Sequence, residues 1–437
     1  MTDGNVTRGL LLFAGPMILG NLLQQFYNIV DTWVVGRYVG SSALAAVGSA
    51  YSMMTFLNSV IIGLCMGGGA AFSFYYGKRD MEKLKSCART AFALIGVLAL
   101  ALGVGSQLLL EPILVLLQTP EELFSMMYRY LWIILLGMFF IFLYNYFAFL
   151  LRALGNSVTP LIFLGIAAGL NVAGDLLFVL KFGWGLEGTA IATVLAQAVS
   201  GVGLGIYAWI KEEQLRFHVR EFWADEKPVA EILQFSGITC MQQSVMNFGI
   251  LMIQGLVNSF GATVMAAFAA AVKIDTLAYM PAQEFGNAYS MFISQNYGAG
   301  KKERMAEGTR KAIGISAVFC GVISALVAGL APRLMRIFVD ANETEIIAVG
   351  VSYLRVEGVF YIGIGILFLL YGYFRGKNRP QVSLLLTVVS LGSRVLLAYV
   401  LAAVPAIGVH GIWWSIPIGW ALADLVGFLC MKLQKQE

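Results

Sequence analysis

Four side chains in the first half of this 437-residue chain are of the types that hold a hard cation or a proton: Asp31, Asn171, Asp175 and Thr193. Each lies in a long apolar stretch, where an ionised carboxylate costs about 2.5 to 3.5 kcal/mol and so needs a partner or a task. Asp31 lies six residues before Arg37, Asp175 six before Lys181, and Thr193 six after Glu187. Each interval is about 9 Å of helix rise from a polar flank, so three helices bring oxygen to one depth. Asn171, four residues before Asp175, is one turn away on the same face and presents a carbonyl to the same point. Two carboxylates, an amide and a hydroxyl form a hard oxygen set suited to Na⁺ or to a shared proton and unsuited to soft metals. Asn and Thr in membrane helices serve equally well as interhelical glue, and that reading stays open for Asn171 and Thr193. A structural ion pair for the two aspartates would have to draw on Arg37 and Lys181, both at the surface.

Other polar residues inside apolar stretches point to a substrate cavity. Gln24, Asn28 and Asp31 recur at helical spacing and make one polar stripe, expected to face that cavity. Gln242 and Asn247 are candidates on a later segment. Glu284 and Glu357 would suit a cationic substrate, and Lys273, Asp275, Arg394 and Asp424 are embedded as well, so these charges either contact substrate or neutralise one another. Lys273 and Glu284 share a helical face, whereas Asp275 lies nearly opposite Glu284. The 18 Met and 55 aromatic residues can form an adaptable surface for flat cations, although most such residues simply pack. Pro16 and Pro281 mark expected kinks and possible hinges.

The elements that hold these residues must be membrane helices. Apolar residues make up 59% of the chain and charged ones only 12%, about half the charged share of a soluble domain. Apolar runs of about 20 residues recur with no long polar stretch between them. Twelve spans are expected, near 10–34, 46–72, 91–110, 130–151, 160–180, 187–209, 231–256, 263–294, 312–331, 352–374, 382–403 and 411–431. With both termini cytoplasmic, 21 of the 29 basic residues fall in inside segments, which fixes the orientation and makes the net charge of +4 a membrane signal, not a nucleic-acid one. The first nine residues hold no cleavable leader, so the first span is expected to direct insertion. The five cysteines are scattered, with no CxxC pair, and are expected to be plain thiols.

The sequence repeats itself at an offset near 222. Tyr76-Gly77 through Arg89 and Ala91 is matched by Tyr297-Gly298 through Arg310 and Ala312; Tyr130-Leu131 through Arg152 and Pro160 by Tyr353-Leu354 through Arg375 and Pro380; and Gly185 through Gly188 by Gly408 through Gly411. Two six-helix lobes follow, 1–210 and 229–437, joined by a cytoplasmic linker over 211–228, with a central cavity between parallel repeats. At this offset Asn171 corresponds to Arg394 and Asp175 to Ala398, so the second half carries no copy of the four-residue set.

Together these stretches resemble the multidrug and toxic compound extrusion (MATE) family, over essentially the full length. The resemblance rests on Asp31-Thr32 followed by Gly36, the two Tyr-Gly loops, Arg152 to Pro160, Asn171 to Asp175, and Gly185 to Thr193. It implies an all-α protein of twelve helices in two lobes around a V-shaped cavity, exporting organic cations against inward Na⁺ or H⁺. It also implies a first-lobe cation site at Asp31, Asn171, Asp175 and Thr193. Some members carry a further acid in helix 7, where this chain has Gln242-Gln243 and Asn247, which is closer to the bacterial branches coupled through the first lobe. The expectation is a multi-pass protein of the plasma (inner) membrane, monomeric, with no cofactor beyond the coupling ion. Four other readings compete. A lipid-headgroup flippase would call for more spans and a basic cavity. An enzyme would need more than the isolated His218 and His410. An ATP-driven pump would need a phosphate loop, and Gln295 and Lys302 spoil the pattern around Gly300-Lys301. A passive channel would show flux without ion coupling.

Overall fold

A computed structural model describes residues 1–116, 119–212 and 229–433. The expected linker, including His218, lies outside the described residues from 213 onward. In hydrocarbon every backbone N–H and C=O must be paired within its own segment, and the described residues are helical, with no strand among them. The first half runs through α1 (Val6–Val34), α2 (Ser41–Lys78), α3 (Met81–Leu108), the short α4 (Leu110–Leu116), α5 (Glu121–Leu136), α6 (Met138–Ala153), α7 (Val158–Leu176) and α8 (Gly185–Lys211). The second contains α9 (Val229–Asn258), α10 (Ala262–Gly298), α11 (Lys302–Phe338), α12 (Thr344–Gly358), α13 (Tyr361–Gly376), α14 (Pro380–Ala402) and α15 (His410–Leu433).

Ten of these segments are long and apolar enough to cross a membrane, and the pair α12–α13, bent by 52°, makes an eleventh. The 30-residue α9 stands where the seventh span is expected, and its amides Gln242, Gln243, Asn247 and Gln254 make it less apolar than the rest. Several helices outrun the expected spans because helix propagates past the hydrocarbon edge; α11, at 37 residues, is about 55 Å long. Large apolar side chains face outward along the bundle, among them Leu108 at 79% and Val318 at 69% exposure, a surface that only lipid can cover.

The chain packs as two compact units, Gly15–Cys240, and Met1–Ala14 with Met241–Glu437. In the first, Tyr146 is fully buried among Phe72, Phe92, Phe142 and Phe147, and its hydroxyl donates to the Ala88 carbonyl at 2.7 Å. In the second, Trp413 stacks on Phe268 at 5.7 Å and meets Tyr353 edge-on at 4.9 Å. The second unit also takes in the N-terminal residues: Arg304 donates to the carbonyls of Met1, Asp3 and Gly4. Lys301 meets Asp3 at 2.8 Å and holds that carboxyl below the usual carboxylate range.

The repeat is visible in the backbone. Gly155 and Asn378, 223 residues apart, both take positive φ, 96° and 58°, at the end of matching helices; Asn is the residue after Gly that best tolerates that region. Gly185 and Gly408 do so at 56° and 54°. The fourth and tenth spans, expected as continuous helices, are interrupted at corresponding places. At Gly137 the N–H turns back to the Ile134 carbonyl at 2.8 Å, and at Gly358–Tyr361 the helix bends by 52°. Pro16 and Pro281, by contrast, lie inside unbroken helices.

Candidate functional site

Just beyond Asp31 and Asp175, α1 and α7 each end in one π turn, Val35–Val39 and Leu177–Lys181. Wide turns of this kind accommodate an extra residue in a helix and recur at functional sites. The two turns pack on each other and on α8, and the first also holds α2. Elsewhere α1 makes only sparse backbone contacts with other helices. Its C-terminal end is thus anchored while its middle borders a cavity.

Helices α7 and α8 approach closely because Gly174 faces Ala192: a Cβ at Gly174 would come within 2.9 Å of the Ala192 Cβ. That approach lets the Asn171 amide N–H donate to the Thr193 hydroxyl at 3.1 Å, while Thr193 donates to the Thr189 carbonyl at 3.0 Å. With its N–H spent on Thr193, Asn171 presents its carbonyl oxygen. Asp175, fully buried, and Asp31 bring their carboxyl groups within hydrogen-bonding reach of each other. Asp31 Oδ1, Asn171 Oδ1 and both Asp175 oxygens have no donor among the described residues. Acceptors gathered without donors cost about 1 to 3 kcal/mol each, more when charged. A positive species, a proton or a metal cation, would satisfy all of them at once.

The cluster opens on a cavity of about 260 Å³ lined by Gln24, Tyr27, Asn28, Asp31 and Thr32 of α1, Asn58 of α2, Tyr130 of α5, Tyr144 and Asn145 of α6, Asn171 of α7, and Thr193, Gln197 and Ser200 of α8, among others. Among the described residues, no lysine or arginine lines it. The stripe Gln24, Asn28 and Asp31 therefore faces a space within the first unit. Reasoning from charge alone passed over Asn58, Asn145, Gln197 and Tyr130. The signal was present in the amides, which are as conspicuous in an apolar span as carboxylates. Gln197 shapes the break in the fourth span, since its Oε1 lies where a Gly137 Cβ would stand.

Replacing Thr193 by Val keeps the shape but removes the acceptor for Asn171. For a cation held by these oxygens, binding would weaken about tenfold, the equivalent of about 1.4 kcal/mol. The concentration of cation giving half-maximal thermal stabilisation reads this directly, and Thr193→Ser should restore it; equal affinities for Thr193→Val and wild type would remove Thr193 from the site.

None of the second-unit candidates is among the residues lining this cavity. Glu284 accepts from the Asn287 amide at 3.3 Å, and Asn287 in turn accepts from the buried Arg375 at 2.9 Å. Glu357 and Asp275 are buried, at 2% and 3% exposure, and Lys273 is exposed on the other side of α10. Gln242 is buried with its Oε1 unpartnered, and Asn247 donates to the Gln243 carbonyl at 3.1 Å. Asp424 is half-buried on α15 beside Gly363.

A bundle of membrane-spanning helices with an internal repeat and a donor-free cluster of buried oxygens defines a polytopic membrane transporter. The MatE family model matches residues 16–177 and again 239–400, the second match displaced by 223 residues from the first. The chain belongs to that family, whose members are transporters and not enzymes. It is 31% identical over 391 residues, 89% of this chain and 86% of the relative, to "Probable multidrug resistance protein YpnP" of Bacillus subtilis. It is 26% identical over 439 residues, 98% of this chain and 91% of the relative, to "Probable multidrug resistance protein NorM" of Thermotoga maritima. The fold matches the outward-facing conformation of a multidrug resistance MATE family transporter of the MOP superfamily with a TM-score of 0.93 at 23% identity, covering 99% of this chain and 96% of that one.

Proposed function

We propose that this chain exports small organic cations from the cell in exchange for inward Na⁺ or H⁺, with Asp31, Asn171, Asp175 and Thr193 as the coupling site. The observation that carries this reading is the set of buried acceptor oxygens with no donor among the described residues. Binding a positive ion there neutralises Asp31 against Asp175 and draws the sparsely packed middle of α1 toward α7 and α8. The cavity beside α1 narrows, and a cation held there is expelled. The ion and the substrate thus bind two states of the first unit with different affinity, which is all that exchange requires. Relatives named as multidrug resistance proteins support the substrate class. The absence of lysine and arginine from the lining speaks against an anionic lipid-linked substrate. The excess of basic residues on one set of loops supports an inner-membrane protein with both termini cytoplasmic, and we take the monomer as the working unit.

The test is efflux of ethidium from proteoliposomes under an imposed Na⁺ or pH gradient. One of the two gradients should drive dye out in the wild type and fail in Asp31→Asn. Full efflux by Asp31→Asn would refute the coupling site; no efflux under either gradient would refute the antiporter reading.

A further inference from the structure

The second unit buries a charged cluster that the coupling site does not use. Asp275 of α10 and Glu357 of α12 are at least nine-tenths buried, and Asp275 Oδ1 and Glu357 Oε2 have no hydrogen-bond partner among the described residues. The titratable groups that act electrostatically on them come from four helices: Tyr279 from α10 itself, Tyr353 from α12, Tyr361 from α13 and Arg394 from α14. Trp413 of α15 closes the cluster over Tyr353. Arg394 forms no ion pair with either carboxylate that would count as a salt bridge, and its Nε is unpartnered. Close packing of α15 on α14 holds Arg394 in place, since a Cβ at Gly419 would lie 3.3 Å from the Arg394 Cβ.

The position of this cluster follows the repeat. At the offset of 223 given by the two family matches, Tyr353 corresponds to Tyr130, Glu357 to Ile134 and Arg394 to Asn171. All three first-half counterparts line the first-unit cavity. The second half has therefore kept the tyrosine, exchanged the amide for a guanidinium and brought in carboxylates from different helices. Two carboxylates against one guanidinium leave a charge of −1. Such a charge does not stay uncompensated in a buried, membrane-embedded site. The guanidinium repels a metal cation, and the phenols are hydrogen-bond donors, so the missing charge is best supplied as a proton on one of the two carboxyls.

We propose that Asp275, Glu357 and Arg394 form a second, single-proton site at the repeat-equivalent place in the second unit. The site is independent of the first-unit coupling reading. The proton enters from water at a membrane face and leaves to water, so the second unit binds H⁺ whichever ion the first unit uses.

The test is infrared difference spectroscopy on the full-length protein in nanodiscs across a pH titration. The background carries Asp31→Asn, Asp175→Asn and Asp424→Asn, which removes the embedded carboxyls outside the cluster except Glu284. The expected result is one carboxylic acid C=O band, slow to shift in deuterated water, that disappears on adding Glu357→Gln or Asp275→Asn. Should those variants fail to fold, ¹³C-carboxyl labelling of Asp or of Glu in the same background identifies the band with the cluster intact, and Tyr361→Phe should move it if Asp275 carries the proton. Absence of the band in the background, or its survival in both Glu357→Gln and Asp275→Asn, would overturn the proposal. Because the first-unit aspartates are already neutral, failure here leaves the coupling reading untouched.

Discussion

An Asp175→Asn variant should lose ion-driven efflux by at least about 100-fold and yet fold at least as well as the wild type. Asp175 is fully buried, neither of its oxygens has a donor, and its carboxyl meets that of Asp31. The amide is isosteric, removes one negative charge and supplies N–H donors to the Asp31 carboxylate. It therefore mimics the ion-occupied site permanently, and a site that cannot empty cannot couple. Relieving one charged, unsatisfied acceptor is worth about 1 to 3 kcal/mol, so thermal stability without coupling ion should rise or hold. The stabilisation that Na⁺ or acid gives the wild type should vanish with it, by linkage of binding to folding. Dye efflux and thermal unfolding of one preparation check both halves; a variant that still transports, or one that is stabilised by the ion like wild type, contradicts the site.

The second large effect is on folding. Gly372→Val is expected to destabilise the second unit by about 3 kcal/mol or more, within the upper range for overpacking a rigid contact. On the α10–α13 interface a Cβ at Gly372 would lie 2.5 Å from the Gly286 carbonyl oxygen, and one at Gly376 would lie 2.6 Å from the Ser290 carbonyl oxygen. These are backbone atoms, so no rotamer change relieves the clash, and small residues are what allow membrane helices to meet this closely. Separating the helices also breaks the bonds from Arg375 to Ser290 at 3.2 Å and to Asn287 at 2.9 Å. Gly314, with nothing near its Cβ position, is the control, and Gly314→Ala should stay within about 0.5 kcal/mol of wild type. Denaturant midpoints in detergent decide; equal midpoints for Gly372→Val and Gly314→Ala would show that the interface yields.

Much of this was legible before any coordinates. Helical class, multi-span character and the repeat followed from composition and pattern, because hydrocarbon permits so few solutions for a backbone. A similar depth for Asp31, Asp175 and Thr193 was expected from their flanks because the rise of an α-helix is constant. The π turns fall within the intervals counted for Asp31 and Asp175 and not within that for Thr193, so they alter the first two counts alike. Direction around each helix and closeness between helices are different matters. They depend on which small residues face one another, and so Gly174 against Ala192, Gly137 against Gln197 and the breaks in the fourth and tenth spans were invisible to patterning.

What the amino-acid sequence determined by itself is the kind of molecule: a repeated membrane bundle with carboxylates set inside apolar spans. Tertiary structure alone decided how those charges group. Asp31 meets Asp175 among acceptors with no donor, while Glu357, which by type suited a substrate cavity, is buried with Asp275 beside Arg394. The reason is physical. Insertion energy depends on a residue's own type and depth and can be read one position at a time. The state of a buried charge depends on every neighbour within a few ångströms, and those neighbours come from helices far apart in sequence.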